Sequence, residues 1–488
     1  MNNLIPLPVS VKPSDGVFTL SATTQIRVEP GRAEIAAIGQ YLADRLTPAT
    51  GYTLPIVTAP GAPAPGHIRL TTAEGDSTLG DEGYELTVSP QDVTLAAYQP
   101  AGLCRAVQTL RQLLPPAIES TTRQAGPWTI PAGAIRDYPR FGWRGFMLDV
   151  ARHFFSVQTV KRCLDLMAYY KMNILHLHLT DDQGWRIAIN LWPGLAAHGS
   201  RTEVGGGPGG YYSQAEYADL VAYAQSRYIT LVPEFDLPGH TNAALAAYPQ
   251  LTRDEVAPPL YTGTEVGFSS LCVDKDVTLV FMDDVIEELA ALTPGPYIHI
   301  GGDEAAATPK ADYIRFIEEV QAIVEAQGKT AIGWEEIAQA RLLPTTVVQL
   351  WNASQAATLA SRGGKVILSP AGHTYLDMKY DADTPLGQNW AGNVSVRAAY
   401  DWAPEHVVEG LAESNILGIE APLWTETIQT MADIDFMVFP RLLGLAEVGW
   451  SPAAGRGWDE YKYRLASHRP RLEALRVNYY PASDVPWP

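Results

Sequence analysis

The chain has 488 residues, 46% of them hydrophobic, enough to bury a large core and to make two domains the expectation. Against 54 Asp plus Glu stand only 35 Lys plus Arg with no basic run, a net charge of −19 that argues against a nucleic-acid partner. No apolar run reaches membrane-spanning length, and Cys104, Cys163 and Cys272, which cannot all pair, read as buried thiols.

Residues 1 to 8 lack the basic and apolar regions of a secretion leader. The expected location is the cytoplasm, or outside the cell where a signal peptide has been removed. Short strands follow at residues 25–28, 67–70, 84–88 and 93–97, and residues 61–65 read as a loop. Two amphipathic helices alternate with them, one striped by Ile35, Ile38, Leu42 and Leu46, the other by Leu103, Val107, Leu110 and Leu114. Pro115-Pro116 stops the second helix, and a stretch with Gly126-Pro127, Pro131 and Pro139 leads into a different rhythm. Residues 1–138 are therefore expected to form an α+β domain, and residues 139–488 a catalytic domain with a C-terminal tail.

From residue 142 onward, apolar strands alternate with helices, the pattern of a parallel sheet with helical crossovers. Eight strands are expected, at 143–149, 174–179, 229–234, 297–300, 330–334, 347–351, 365–368 and 416–421. The intervening helices carry apolar stripes, among them Val160, Cys163, Leu164 and Met167, then Met282, Val285, Ile286 and Leu289. The implied fold class is α/β, a (β/α)8 barrel, whose active site lies at the C-terminal strand ends. Arg152, Asp181, Asp236, His240, Asp303, Glu304, Trp334, Glu335, Trp351, Tyr375, Asp377, Trp424 and Glu426 all fall at or just past those ends.

The sharpest of these signals is Ile298-His299-Ile300-Gly301-Gly302-Asp303-Glu304. Neighbouring strand residues point to opposite faces, so both acids reach one ligand only if the chain bends, as two glycines permit. Two carboxylates held close do not both ionise easily, and one then keeps a proton for general acid work. A solvated acidic turn or a helix N-terminus fits an isolated Gly-Gly-Asp-Glu equally well. His176-Leu177-His178 with Asp181, His240 and Asp303 has the residue types of a barrel metal site, but buried hydrogen-bonded histidines are the preferred reading, and no metal is expected. His240, on a turn after the third strand, is expected to pair with Asp181 and steady the acids. Arg152 is placed to hold hydroxyls, whereas Arg144 reads as a structural ion-pair partner of Asp149. Trp334, Trp351 and Trp424, with Trp390 further along, suggest an apolar pocket or a floor on which sugar rings stack. The glycine-rich segment 205–212 lacks the lysine of a phosphate loop and reads as a covering loop.

Taken together, Arg-Gly-Phe-Met-Leu-Asp-Val-Ala-Arg-His-Phe (144–154), His-Leu-His-Leu-Thr-Asp-Asp-Gln-Gly-Trp-Arg (176–186), Glu-Phe-Asp-Leu-Pro-Gly-His (234–240) and His-Ile-Gly-Gly-Asp-Glu (299–304) resemble the family 20 glycoside hydrolases, the β-N-acetylhexosaminidases. Gly-Trp-Glu-Glu (333–336), Tyr-Leu-Asp (375–377) and Trp-Thr-Glu (424–426) extend the likeness across the barrel, and the first domain is similar to the small domain preceding it in that family. The resemblance implies a retaining, substrate-assisted mechanism in which the sugar's 2-acetamido oxygen attacks the anomeric carbon. It implies that Glu304 is the general acid and base and that Asp303 orients the acetamido group. It further implies that Tyr375 binds the acetamido oxygen and that Trp334, Trp351 and Trp424 wall that group. Arg152, Asp377 and Glu426 would hold hydroxyls, Trp390 would stack the next sugar outward, and Asp181 and His240 would tune the acids. The implied partner is a β-linked N-acetylhexosaminide, trimmed one sugar at a time by a monomer or homodimer without metal or organic cofactor.

Overall fold

Short β-branched and leucine-rich runs bounded by turn residues build a seven-stranded mixed sheet in the first part of the chain. Its strands are β1 (Ser10–Thr19), β2 (Ile26–Val28), β3 (Ile56–Thr58), β4 (Ile68–Thr71), β5 (Tyr84–Val88), β6 (Val93–Ala97) and β7 (Thr129–Asp137), ordered β1-β7-β5-β6-β4-β2-β3. The computed structural model describes residues 1, 3–58, 65–355, 358 and 363–488, so most of the expected loop at 61–65 lies outside the described residues. Both expected helices are present, Ala33–Thr50 and Pro100–Leu113, with Ile35, Leu42, Leu46, Leu103, Val107 and Leu110 fully buried. The first ends at Gly51, whose φ of 70° is the left-handed conformation glycine adopts at no steric cost.

Three strands, β1, β3 and β7, were not expected from the pattern. β1 is an edge strand that buries only Phe18, and Pro13 and Gly16 interrupt it where its pairing with β7 shifts register. Such a strand carries no alternation to read, and Pro is tolerated there because an edge backbone need not donate.

The second half of the sequence meets its expectation strand for strand. β8 (Trp143–Asp149), β9 (Ile174–His178), β12 (Thr230–Glu234), β13 (Tyr297–His299), β14 (Thr330–Trp334), β15 (Val347–Leu350), β16 (Lys365–Leu368) and β17 (Ile416–Leu423) close into a parallel barrel, with β17 pairing β8. A two-stranded ribbon, β10 (Thr180–Asp181) with β11 (Gly184–Trp185), follows β9. Both faces of the strands are covered, which is why they read as continuous apolar runs. Trp143, Ile174, Val232, Ile332, Val347 and Ile367 form one buried cluster, against which Tyr297 and Leu417 pack, so each of the eight strands supplies one side chain to it.

The chain divides into two compact units. One comprises Met1–Arg140, Ala168–Lys171 and Phe439–Pro488; the other comprises Phe141–Met167 and Met172–Val438 and contains the barrel. Within the first unit, buried Asp137 accepts from Lys171 Nζ (2.8 Å), Tyr84 Oη (2.6 Å) and Trp450 Nε1 (2.9 Å), and the Lys171 ammonium lies 4.6 Å from the Trp450 ring centroid. The three cysteines are free and buried, as expected.

Candidate active site

Buried Ile298 and Ile300 fix the end of β13, and the chain then turns sharply through Gly301 and Gly302, with φ of 63° and 102°. A Cβ at Gly301 would lie 1.8 Å from Asp236 Oδ1, so only glycine fits. Glu304 itself sits at φ 47°, where a non-glycine residue stores on the order of 1–3 kcal/mol of strain. The bend brings both acids to one hollow: Asp303 is 9% exposed, whereas the Glu304 side chain is 39% exposed and reaches the mouth.

His240, after β12, stands behind the pair. Its Nε2 lies 3.5 Å from Glu304 Oε2 and 3.7 Å from Asp303 Oδ2, while Nδ1 is 3.1 Å from Asp181 Oδ1 on the ribbon. Burial disfavours the imidazolium, but Asp181 and Asp236 outweigh it and hold the His240 pKa well above the usual value. Burial raises the Asp303 carboxyl, and the neighbouring Glu304 charge adds to that rise against the pull of His240. Asp236 Oδ1 accepts from Gly302 N at 2.9 Å, and burial together with Asp303 pushes its acid well upward. At the centre, then, burial and Asp303 favour the protonated form of Asp236, and Asp181 and Asp236 favour the charged form of His240.

The surrounding strand ends complete a cavity of about 340 Å³. Arg152, Asp303, Glu304, Trp334, Trp351, Tyr375, Asp377, Trp390, Trp424 and Glu426 all line it; Asp181 and His240 do not line it but sit behind the acids. Trp334 and Trp424 lie 5.7 Å apart, and Trp390 meets both Trp351 (5.8 Å) and Tyr375 (5.7 Å) edge to face. Arg152 bridges Asp181 (2.8 Å) and Asp149 (3.4 Å) with its guanidinium 4.8 Å from the Trp424 ring, and its buried Nε has no hydrogen-bond partner among the described residues. Trp390 is 55% exposed and stands at the rim.

Sequence pattern did not single out Thr264, Val266 and Gln388, which also line the cavity. They lie on long loops with no periodicity, where spacing carries no directional signal. Of the Glu335-Glu336 pair, Glu335, the expected strand-end candidate, turns away to accept from Asn352 N at 3.0 Å. Glu336 instead receives the Trp351 indole N–H at 3.2 Å, and burial and then Asp303 raise its pKa to about 8. The segment 205–212 contributes nothing to the lining. Its start is tied to the back of the site, Val204 N to Arg152 O and Gly205 N to Thr262 O, each 2.9 Å, so it buttresses Arg152 rather than covering the pocket. Asp149, the expected mate of Arg144, is directed to Arg152 and to the amides of Ala151 and Thr425.

His176 and His178 are buried and hydrogen-bonded, as preferred. His178 spends both ring nitrogens, Nδ1 on Glu234 (2.6 Å) and Nε2 on Asp181 (2.9 Å), and His176 Nδ1 pairs with Glu420 (2.8 Å). Imidazoles engaged this way link carboxylates of neighbouring strands.

Indole faces suit the C–H faces of a sugar, and adjoining acids suit proton transfer at a glycosidic oxygen, so fold and site together define a glycoside hydrolase. Residues 141–315 and 306–453 match "Glycosyl hydrolase family 20, catalytic domain", and residues 1–138 match "Glycosyl hydrolase family 20, domain 2". The chain belongs to glycosyl hydrolase family 20. It is 42% identical over 490 residues to a beta-N-acetylhexosaminidase of Cellulomonas fimi, covering 99% of this chain and 97% of that one. The solved GH20 beta-N-acetylhexosaminidase of Streptomyces coelicolor superposes with a TM-score of 0.97 at 53% identity, covering 100% and 99% of the two chains. A mutant Streptomyces plicatus beta-hexosaminidase in complex with product (GlcNAc) gives 0.96 at 54% identity, covering 100% and 98%.

Proposed function

We infer that the protein is an exo-acting, retaining β-N-acetylhexosaminidase that releases terminal GlcNAc or GalNAc from chitooligosaccharides or glycans by substrate-assisted catalysis. The observation that carries this reading is the convergence of Asp303 and Glu304 on one hollow floored by Trp334 and Trp424. Neighbouring residues on one strand end cannot flank both faces of an anomeric centre, so Asp303 is not a nucleophile opposite Glu304; the sugar supplies the nucleophile.

In the first step the acetamido oxygen forms a bond to C1 as the C1–O bond breaks, and Glu304 gives its proton to the departing oxygen. In the second, Glu304 takes a proton from water as that water's oxygen bonds to C1 and the oxazolinium ring opens with retention. Asp303 accepts from the acetamido N–H and offsets the charge growing there; a carboxylate poorly solvated by burial gains most from such a cation. Tyr375 donates to the acetamido oxygen, and Trp334, Trp351 and Trp424 hold the group near attack geometry and exclude water. Arg152, Asp377 and Glu426 take the remaining hydroxyls, Trp390 stacks the next sugar, and Asp181 with His240 steadies the acids.

Residues 1–138 serve as an accessory domain and 139–488 as the catalytic domain with a C-terminal tail, Phe439–Pro488 of which belongs to the same compact unit as the accessory domain. The assembly is a monomer or a homodimer, separated by solution mass. Among the described residues no helix is long and apolar enough to cross a membrane; a cytoplasmic location is the working assignment, checked by cell fractionation. The activity is tested with nitrophenyl β-N-acetylglucosaminide and β-N-acetylgalactosaminide: turnover of either supports the reading, and turnover of neither overturns it.

A further inference from the structure

Glu234 closes β12, in register with His178 on one neighbouring strand and His299 on the other, and is fully buried. Its two oxygens have separate tasks. Oε1 accepts from Trp334 Nε1 at 2.8 Å and lies 3.0 Å from His299 Nδ1; Oε2 meets His178 Nδ1 at 2.6 Å and lies 3.0 Å from His176 Nε2. From His178 the chain continues through Asp181 (2.9 Å) to His240 (3.1 Å), whose buried Nε2 is directed at Glu304 (3.5 Å) and Asp303 (3.7 Å).

We propose that Glu234 is a positioning residue that couples the floor of the sugar pocket to the catalytic acids, holding Trp334 with one carboxylate oxygen and the His178–Asp181–His240 chain with the other. The proposal rests on the hydrolase reading above but assigns a role to a residue that touches no substrate. A sugar that presses on Trp334 bears on the same carboxylate that orients His178, so filling the acetamido pocket and aligning the proton-transfer groups are one event. The charges alternate along the path. Burial opposes the Glu234 anion, but His178, His299 and His176 together hold its pKa well below the usual range, and burial of Asp181 is outweighed in the same way by Arg152, His240 and His178. At the far end His240 faces Asp181, Asp182, Asp236, Asp303 and Glu304. The Glu234 charge also acts directly on Asp303, disfavouring its ionisation.

Glu234→Gln keeps the shape and an acceptor but removes the charge. With nitrophenyl β-N-acetylglucosaminide as substrate and free N-acetylglucosamine as ligand, it is expected to lower kcat/KM and weaken sugar binding by roughly 2- to 30-fold each. The basic limb of its pH–rate profile moves to lower pH by roughly 0.4 to 1.5 units. Trp334→Phe reproduces the binding loss with the profile in place, and His178→Gln, which removes a cation rather than an anion, moves the basic limb the opposite way, to higher pH, with binding retained. A folded Glu234→Gln protein that alters only one readout, or neither, overturns the coupling; wild-type protein inactive on the glycoside overturns the hydrolase reading instead. If Glu234→Gln does not fold, the double-mutant cycle of Trp334→Phe with His178→Gln decides: non-additive losses in kcat/KM support the link, and additive losses refute it.

Discussion

At the scale of single residues, Asp303 and Glu304 differ in exposure by design of the bend, and their substitutions separate accordingly. Glu304→Gln removes the proton donor, so turnover of a substrate with a poor leaving group falls by about 10²-fold or more. A well-activated phenol needs less protonation and loses less, and azide restores part of the rate of the activated substrate; unchanged turnover with the poor leaving group contradicts the role. Asp303→Asn keeps the hydrogen-bonding shape but not the charge that meets the oxazolinium. A loss of about 10²- to 10³-fold is expected for one electrostatic stabiliser, measured as kcat on both leaving groups, and a normal rate contradicts substrate assistance. These residues were legible because glycine, acid and aromatic identities at strand ends carry chemical meaning without coordinates. Asp236 as the acceptor of the Gly302 amide, and Glu336 rather than Glu335 as the support of Trp351, were not legible: side-chain direction just past a strand depends on local φ and ψ.

At the scale of elements, the inward faces of β9, β12 and β17 place acids and histidines where a barrel ordinarily packs aliphatic side chains. Burial opposes a charged His176, yet Glu420 and Glu234 raise its pKa to about 9. A proton retained in the folded state and lost from the unfolded chain at about 6.5 stabilises fully below pH 6.5, and that contribution disappears as pH rises to 9, up to ~3 kcal/mol. Urea unfolding across this window is expected to show the decline in the wild type and a flatter profile in His176→Gln; equal slopes contradict the assignment. Strand existence was readable from apolar runs, and the His-x-His spacing marked two inward positions. Their partners Glu234 and Glu420 come from other strands, and pairing across strands is set by barrel closure rather than by local spacing.

At the scale of the whole molecule, the alternation of strand and helix was enough to give eight barrel strands in order, whereas β1 and β7 in the first unit, broken by Pro13, Gly16 and Pro131, hid their pairing in turn-like residues. That unit is pinned by the buried Asp137–Lys171 pair, to which Tyr84 and Trp450 add hydrogen bonds. Asp137→Asn leaves Lys171 charged without its anion, and a loss of ~3–5 kcal/mol is expected, read as a lowered Tm with kcat unchanged at a temperature where the variant is folded. A Tm equal to wild type contradicts the pair's importance.

The central claim is that the substrate's own amide carbonyl attacks the anomeric carbon, with Glu304 moving protons and Asp303 steadying the cation. Its most direct test is kcat/KM across nitrophenyl glycosides whose N-acetyl group carries no, one, two or three fluorines, since each fluorine makes the carbonyl oxygen a poorer nucleophile. A steep, monotonic fall along the series, with the plain 2-hydroxyl glycoside inert, is the predicted result; equal rates across the series would contradict it.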